Sequence, residues 1–516
     1  MTKKVSWMLF FIGLVTAAVP AAFQEAPGYA DADYYYATAL RIVEGQGMTD
    51  AFLWHYLGDF SALVHPSHSF WMPLTTWLAA AGMAAVRTPT FWGAKIPFLL
   101  LAAVVPVLTA RMTWKLTKDP FSSRTAGWLA CFAGFYLPFL PVTDSFSPLM
   151  LLGAVYFLLF MEPKPGRYSF WVGLTCGAMH LARAEGLIWL ALAGAALIFQ
   201  QEDRFKSLLL LTAGYLILVG PWMIRNYLVF GQLLGKGGLK TLWLTEYNQL
   251  FAYPADQINY QAWRAQGWWE ILRDRWWALQ INLQTALVVQ GQIYLTPLLI
   301  WGIWKYRDRA AVRLGGTGWL GLMAAMTLVF PFPGARGSFF HGGAALQPMF
   351  WGLAAAGLAE LLKWGKRHRS WHQHQAAAVL GTGLIVISGL LSMYLVSERV
   401  IGKDFSEPVW NKPQQRYQMI EVKLLEEGLG EDQPVLVNNP PGYYAVNRRR
   451  AAAVPSGGLA PLLEAAGDFG ADYILLDENY PPLMKDYYFH PETRSGLIYK
   501  GSAAGIRIYQ IPGSGP

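Results

Sequence analysis

Residues able to do acid–base chemistry gather in one polar stretch between two apolar runs. Gly28-Tyr29-Ala30-Asp31-Ala32-Asp33-Tyr34-Tyr35-Tyr36 is followed by His65-Pro66-Ser67-His68 before the next apolar segment. Asp31 and Asp33 are two apart, so in an extended strand their side chains share a face, whereas on a helix they diverge. Pro27 and Gly28 just before them favour the extended case. Paired carboxylates raise one another's proton affinity unless a cation intervenes, which makes one of them a general base for an alcohol or amine nucleophile. An aspartate opening Tyr34–Leu40 is also an ordinary helix cap.

His65 and His68 can donate to an anion, ligate a metal or cap an interface. Metal sites want a third ligand, and His55 is the one other histidine in that loop. Arg183 and Glu185 interrupt a later apolar run with opposite charges, either as a surface turn or lining a polar hollow. Arg225 and Arg336, with His341 close behind, end apolar runs where cations meet headgroups or a lipid phosphate.

The elements that must hold these residues are membrane helices. Hydrophobic residues make up 54% of the 516 and charged ones 14%, against about 25% charged in soluble domains. Apolar stretches long enough to cross roughly 30 Å of hydrocarbon recur through the first 400 positions. Spans are expected at about 6–23, 70–86, 91–112, 125–142, 145–161, 168–199 (one or two helices), 206–230, 284–304, 315–333, 339–362 and 376–397. Lys3 and Lys4 place the N-terminus inside and the loop 24–69 outside; strict alternation then puts Arg111, Lys115, Lys118 and Arg124 outside, against the positive-inside tendency. Either a segment re-enters or one boundary is misplaced. The basic cluster Lys363 to Arg369 reads as cytoplasmic, so 376–397 exits and the C-terminus lies outside.

A second outer loop at about 231–283 carries Trp269 and Trp276 on one helical face, the pattern of an amphipathic helix on a bilayer. Residues 398–516 alternate strand-like runs (434–437, 473–476, 506–511) with helical stretches (415–427, 459–466), the signature of a small α/β domain. The fold class is therefore mainly α: a polytopic transmembrane bundle of about 11–13 helices over 1–397, with an extracytoplasmic α/β domain over 398–516. The net charge of +8 fits cytoplasmic Lys/Arg and anionic headgroups; no basic stripe points to nucleic acid. Cys131 and Cys176, both in apolar spans, exclude a disulfide in the outer domain.

The acidic pair before Tyr-Tyr-x-Ala, the Arg183-Ala184-Glu185-Gly186 turn and the Pro221-Trp222-x-x-Arg225-Asn226-Tyr227-x-x-Phe230-Gly231 run resemble the C-type membrane glycosyltransferases, such as protein O-mannosyltransferases and lipid A aminoarabinose transferases. That resemblance implies a plasma (inner) membrane enzyme moving a sugar from a polyprenyl-phosphate donor to a lipid, glycan or protein acceptor at the outer face, with inversion. It implies Asp31 as the base or acceptor-binding carboxylate with Asp33 its neighbour, and Tyr35, His65, His68, Arg183, Glu185, Arg225, Arg336 and His341 as substrate contacts. His65-Pro66-Ser67-His68 stands where the aminoarabinose transferases carry Lys-Pro-Pro. No metal ligand set is assigned, although paired aspartates suit a divalent cation. The rival readings are a transporter or flippase of lipid-linked glycans, with ionisable residues along the bundle interior, and a non-catalytic assembly protein.

Overall fold

The computed structural model describes residues 2–161, 168–200, 203–494 and 496–512. Helices dominate the first 400 residues: α1 (Lys3–Phe23), α2 (Ala30–Val43), α3 (Leu74–Val86), α4 (Phe91–Thr117), α5 (Pro120–Cys131), α6 (Phe146–Met161), α7 (Tyr168–Ala182), α8 (Gly186–Gln200) and α9 (Arg204–Phe230) lead the order. Among the described residues, six helices are long and apolar enough to cross a membrane: Lys3–Phe23, Phe91–Thr117, Arg204–Phe230, Ala310–Val329, Pro331–Arg369 and Gln373–Ile401. Three more, Leu74–Val86, Phe146–Met161 and Gly186–Phe199, are apolar but shorter. The apolar run 168–199 resolves into two helices, because charged Arg183 and Glu185 sit in the break between α7 and α8.

The charge conflict around 111–124 has a structural answer. Lys95, near the start of α4, donates to the carbonyls of Ala21 (2.7 Å) and Gln24 (2.6 Å) at the far end of α1. Deeper in α4, Pro106 packs against Gly13, and Gly127 of α5 packs on Leu9. Thus α4 runs antiparallel to α1 and brings Arg111, Lys115 and Lys118 to the end of the bundle where Lys3 and Lys4 lie. α3 has 13 residues, about 20 Å of helix, too short for a crossing. The segment expected as the second span therefore leaves the sidedness of α4 and α5 unreversed.

Close helix approaches use small residues, as membrane packing favours. A Cβ on Gly173 of α7 would strike the Leu211 carbonyl of α9, and one on Gly214 of α9 would strike the Phe170 carbonyl of α7. The Trp-rich segment forms the helix Trp268–Gln284, with Trp269 and Trp276 both exposed.

The C-terminal region builds a six-stranded sheet, and the strands are β2 (Phe52–Leu53), β4 (Val435–Val437), β5 (Ala451–Ala453), β6 (Tyr473–Leu476), β7 (Ile498–Ala503) and β8 (Ile506–Gln510), in the order β2-β5-β4-β6-β8-β7. The first three pairings are parallel, with Val437 level with Ala453 and Leu475; the last two are antiparallel. Edge strand β2 comes from the first polar loop, which also contains a small ladder of β1 (Thr49–Asp50) and β3 (His65–Pro66). Helices Lys412–Glu426 and Leu459–Phe469 fall where the apolar pattern places them.

One local expectation is corrected. The segment carrying Asp31 and Asp33 is not extended: it is the first turn of α2. Gly28 takes the turn at φ +91°, Tyr29 is the extended cap, and both aspartates sit where the positive end of the helix dipole favours them. Residues two apart on a helix project to different sides, so the two carboxylates part company.

Candidate active site

Asp31 faces a cluster assembled from three distant segments. His341 follows the apolar segment Ala310–Val329, and Asp144 occupies the break before α6. His341 Nε2 lies 3.0 Å from Asp144 Oδ2 and 3.6 Å from Asp31 Oδ2. Tyr29 donates its hydroxyl to Asp144 Oδ2 at 2.5 Å, and Ser145 donates both its backbone N–H and its hydroxyl to Asp144 Oδ1. Asp144 is fully buried. Burial opposes its ionisation, but the adjacent His341 and the donors Tyr29 and Ser145 hold its carboxyl below the usual range. Burial raises the carboxyl of Asp31, with His341 partly opposing that rise and Asp144 adding to it. Its side chain is 27% exposed, the most open of the three.

The imidazole is fixed on all sides. Phe146 stacks on it at 4.2 Å, and Nδ1 is 2.9 Å from the Gly337 carbonyl oxygen. A carbonyl only accepts, so Nδ1 carries the ring hydrogen. A neutral ring then turns the Nε2 lone pair toward two carboxylates. Three acceptors converging repel one another unless a proton or a cation stands among them. One ligand atom from each of Asp31, Asp144 and His341 lies within 4.8 Å of the others. An O/O/N set of this spread would have to draw in slightly for all three to reach one divalent ion at roughly 2.0–2.2 Å. Asp144 and Tyr29 are members of this cluster that sequence reasoning misses; the available signal is a lone carboxylate, Pro141-Val142-Thr143-Asp144-Ser145, between two apolar runs.

Asp33 points elsewhere. Its Oδ2 accepts from Asn439 Nδ2 at 2.8 Å, beneath the N-terminus of the helix Pro440–Asn447. Burial pushes its carboxyl up to about 7. This contact ties α2 to the sheet domain and is separate from the His341 cluster.

His65 and His68 are engaged internally. His65 reaches the carbonyl oxygens of Pro66 (3.0 Å) and Phe52 (3.2 Å) and stacks on Phe60; His68 sits between Ser67 (2.8 Å) and Thr76 (3.0 Å). Burial lowers their proton affinity, to about 4 for His65 and about 3 for His68. They are neutral packing residues and supply no cation for a phosphate: the single N–H of a neutral His65 donates to one of its two carbonyl neighbours, and His68 is held between two hydroxyls. Arg225 lies over Trp222 and Phe230 and donates to Asn226 Oδ1 and the Met48 carbonyl, on the same side as His68.

Arg183 pairs with Glu185 at 3.0 Å and donates to Ser338 Oγ at 3.3 Å, on the segment that leads to His341. The pair is largely buried, and Arg183 acts on both Asp31 and Tyr35. Tyr35 is buried, its ring near Tyr34 and Trp71. Arg336 lies over the ring of Tyr247 at 5.2 Å.

Arg336 and Tyr247 line a cavity of about 500 Å³ that opens between the membrane bundle and the sheet domain. Tyr29 and Ala30, immediately before Asp31, line it together with residues of the loops after β4, β5 and β6. The cavity thus brings the Arg336 guanidinium and the residues that precede Asp31 together, with the Asp31–Asp144–His341 cluster next to its Tyr29–Ala30 side.

No family model and no curated protein sequence matches the chain. Solved structures do. The archaeal oligosaccharyltransferase AglB from Archaeoglobus fulgidus, in complex with an inhibitory peptide and a dolichol-phosphate, superposes with a TM-score of 0.58 at 12% identity over 94% of this chain and 71% of that one. The Archaeoglobus fulgidus oligosaccharyltransferase in complex with Zn and sulfate gives 0.57 at 13% identity over 92% and 69%. ArnT from Cupriavidus metallidurans bound to undecaprenyl phosphate gives 0.55 at 10% identity over the full length of both chains. Both proteins are membrane glycosyltransferases. A helical bundle with a small sheet domain, superposing end to end on ArnT, makes this chain a multi-pass protein with the fold of the C-type membrane glycosyltransferases.

Proposed function

We propose that the protein transfers a sugar from a polyprenyl-phosphate donor to an acceptor held in the cavity above Asp31, inverting the anomeric centre. The observation that carries this reading is the meeting of Asp31, Asp144 and His341 beside a cavity that also exposes Arg336. Lipid phosphates bound by the similarly folded AglB and ArnT support it.

In this reading the acceptor hydroxyl or amine attacks the anomeric carbon. The carbon–oxygen bond to phosphate breaks, its electron pair leaves on the lipid phosphate, and Asp31 takes the nucleophile's proton. Burial raises the Asp31 carboxyl, which suits a base. Arg336 meets the charge that grows on the departing phosphate. Arg183 is neutralised by Glu185 and acts as a positioning residue, holding Ser338. A lipid-borne donor arrives at fixed depth, so much of the orientation cost is met before encounter.

Asp31, Asp144 and His341 are also the residues that would hold a divalent cation, and Zn in the Archaeoglobus fulgidus enzyme is consistent with that. Such an ion would supply Lewis-acid charge at the leaving phosphate. Without one, a protonated His341 would donate from Nε2 to Asp144 and offset the charge of Asp31 at 3.6 Å.

The basic ends of α1 and α4 lie together, and the cavity lies beyond the other end of α1. By the positive-inside tendency the cavity and residues 398–516 are extracytoplasmic, in the plasma membrane.

The test is turnover in proteoliposomes offered a panel of polyprenyl-phosphate monosaccharides and envelope extract as acceptor. Wild type releases polyprenyl phosphate from at least one donor, and Asp31→Asn releases none. Equal release by the two proteins would overturn the reading.

A further inference from the structure

The chemistry of the cavity wall narrows the acceptor. Strands β5, β4 and β6 are parallel, and the residues immediately past their C-terminal ends, Val454, Asn438 and Asp477, all line the cavity. In open sheets with parallel strands, the crevice outside the carboxyl ends of the strands is where ligands bind. Here that crevice is also lined by Tyr29 and Ala30, the two residues that precede Asp31 in the chain.

The wall is prearranged. Asn438 accepts from the Asp477 N–H (3.1 Å) and donates to the Asn479 carbonyl (3.0 Å), locking the β4 and β6 loops together. Several lining groups, by contrast, make no hydrogen bond to any described residue: the Asn248 amide, the Trp54 indole N–H, the hydroxyls of Tyr247 and Tyr480, and that of Ser456. Charge is almost balanced, because Arg416 is bound by both oxygens of Glu478, leaving Arg336 and Asp477 of opposite sign.

We infer that the acceptor is a neutral saccharide, bound at the C-terminal edge of the sheet with one hydroxyl as the nucleophile. Aromatic faces cover the apolar faces of sugar rings, while amides and hydroxyls serve the ring's dense array of donors and acceptors. A cavity of about 500 Å³ suits a short glycan segment. An anionic acceptor would leave its charge facing a wall with one unpaired cation already needed by the donor phosphate. An extended peptide would seek an open strand edge, and the cavity meets strand ends instead, the sheet edges being β2 and β7. The inference rests on the proposed transfer, which names the reaction. The sugar hydroxyl's oxygen bonds to the anomeric carbon, its proton goes to Asp31, and the phosphate leaves with the electron pair of the broken bond.

Saturation-transfer NMR on the full-length Asp31→Asn protein in nanodiscs tests binding apart from turnover. The probes are maltotriose, cellotriose, chitotriose and N-acetyllactosamine, with a neutral Asn/Thr-containing pentapeptide as comparison. The expected result is saturation of at least one saccharide, weakened at least fivefold by Asn248→Ala and by Tyr480→Ala, and none of the peptide. Saturation of the peptide alone, of no probe, or of a saccharide whose binding ignores both substitutions would overturn the inference. Saccharide binding by a wild type that turns over no lipid donor would defeat the transfer reading and leave this one standing.

Discussion

His341 and Asp144 share a 3.0 Å contact between Nε2 and Oδ2, while the other imidazole nitrogen is committed to the Gly337 carbonyl. The pairing makes Asp144 as central as Asp31. Asp144→Asn keeps the side-chain volume and an acceptor oxygen for Tyr29 but removes the charge opposite His341. Donor turnover should fall about 100-fold or more, the usual scale for losing a preorganised charged group. Wild-type-like turnover by this variant, with unchanged thermal unfolding, would remove Asp144 from the site.

Arg336 stands over Tyr247 at the cavity wall. If it meets the donor phosphate, Arg336→Ala loses a charge-assisted hydrogen bond worth about 1.5–3 kcal/mol. The apparent affinity for polyprenyl phosphate, measured by native mass spectrometry, should drop by about tenfold or more, with Arg336→Lys recovering part of it. His65→Ala and His68→Ala should change that affinity little.

Much of the fold is legible in the sequence, for identifiable reasons. Apolar length marks helices regardless of context, and β6 and β8 are hydrophobic runs bounded by polar turns, so both are expected. The Ala451–Ala453 strand is not, since three alanines carry no strand signal of their own. Asp31 and Asp33 look like a pair only if their spacing is extended. The turn at Gly28 and the cap at Tyr29 make them a diverging first helical turn, one carboxylate on His341 and the other on Asn439. His65 and His68 look available because sequence spacing cannot reveal that Phe52, Ser67 and Thr76 occupy their nitrogens. Asp144 escapes notice because its partners lie over 100 positions away in both directions.

Asp50 is buried and accepts from Tyr34 Oη (2.9 Å) and Thr38 Oγ1 (2.6 Å); burial pushes its carboxyl up to about 7, with Arg41 and Arg225 opposing. A carboxyl whose folded value exceeds its unfolded value of about 4 binds more protons when folded. Its contribution to stability is therefore present at low pH, is lost as pH rises through the window from about 4 to about 7, and is flat above that. Thermal unfolding in detergent should show Asp50→Asn gaining on wild type between pH 5 and pH 8. Parallel pH profiles for the two proteins would contradict this.

Lys95 is fully buried and its ammonium donates to two carbonyls at the end of α1. Lys95→Met leaves the Gln24 carbonyl without its donor, while the Ala21 carbonyl keeps the Gln24 N–H, at about 1–3 kcal/mol for a buried group left unsatisfied. The expected outcome is a lowered unfolding temperature in detergent. An unchanged temperature would mean that the α1–α4 contact contributes little.

Sugar transfer at this site requires a lipid phosphate to reach the cavity beside Asp31. A cryo-EM structure of the wild-type protein in nanodiscs with polyprenyl phosphate tests this most directly. The phosphate should lie against Arg336 at hydrogen-bond distances of about 2.7–3.2 Å, next to the Asp31–His341–Asp144 cluster. Density for the phosphate on another face of the bundle, with the cavity empty of lipid headgroup, would contradict the mechanism.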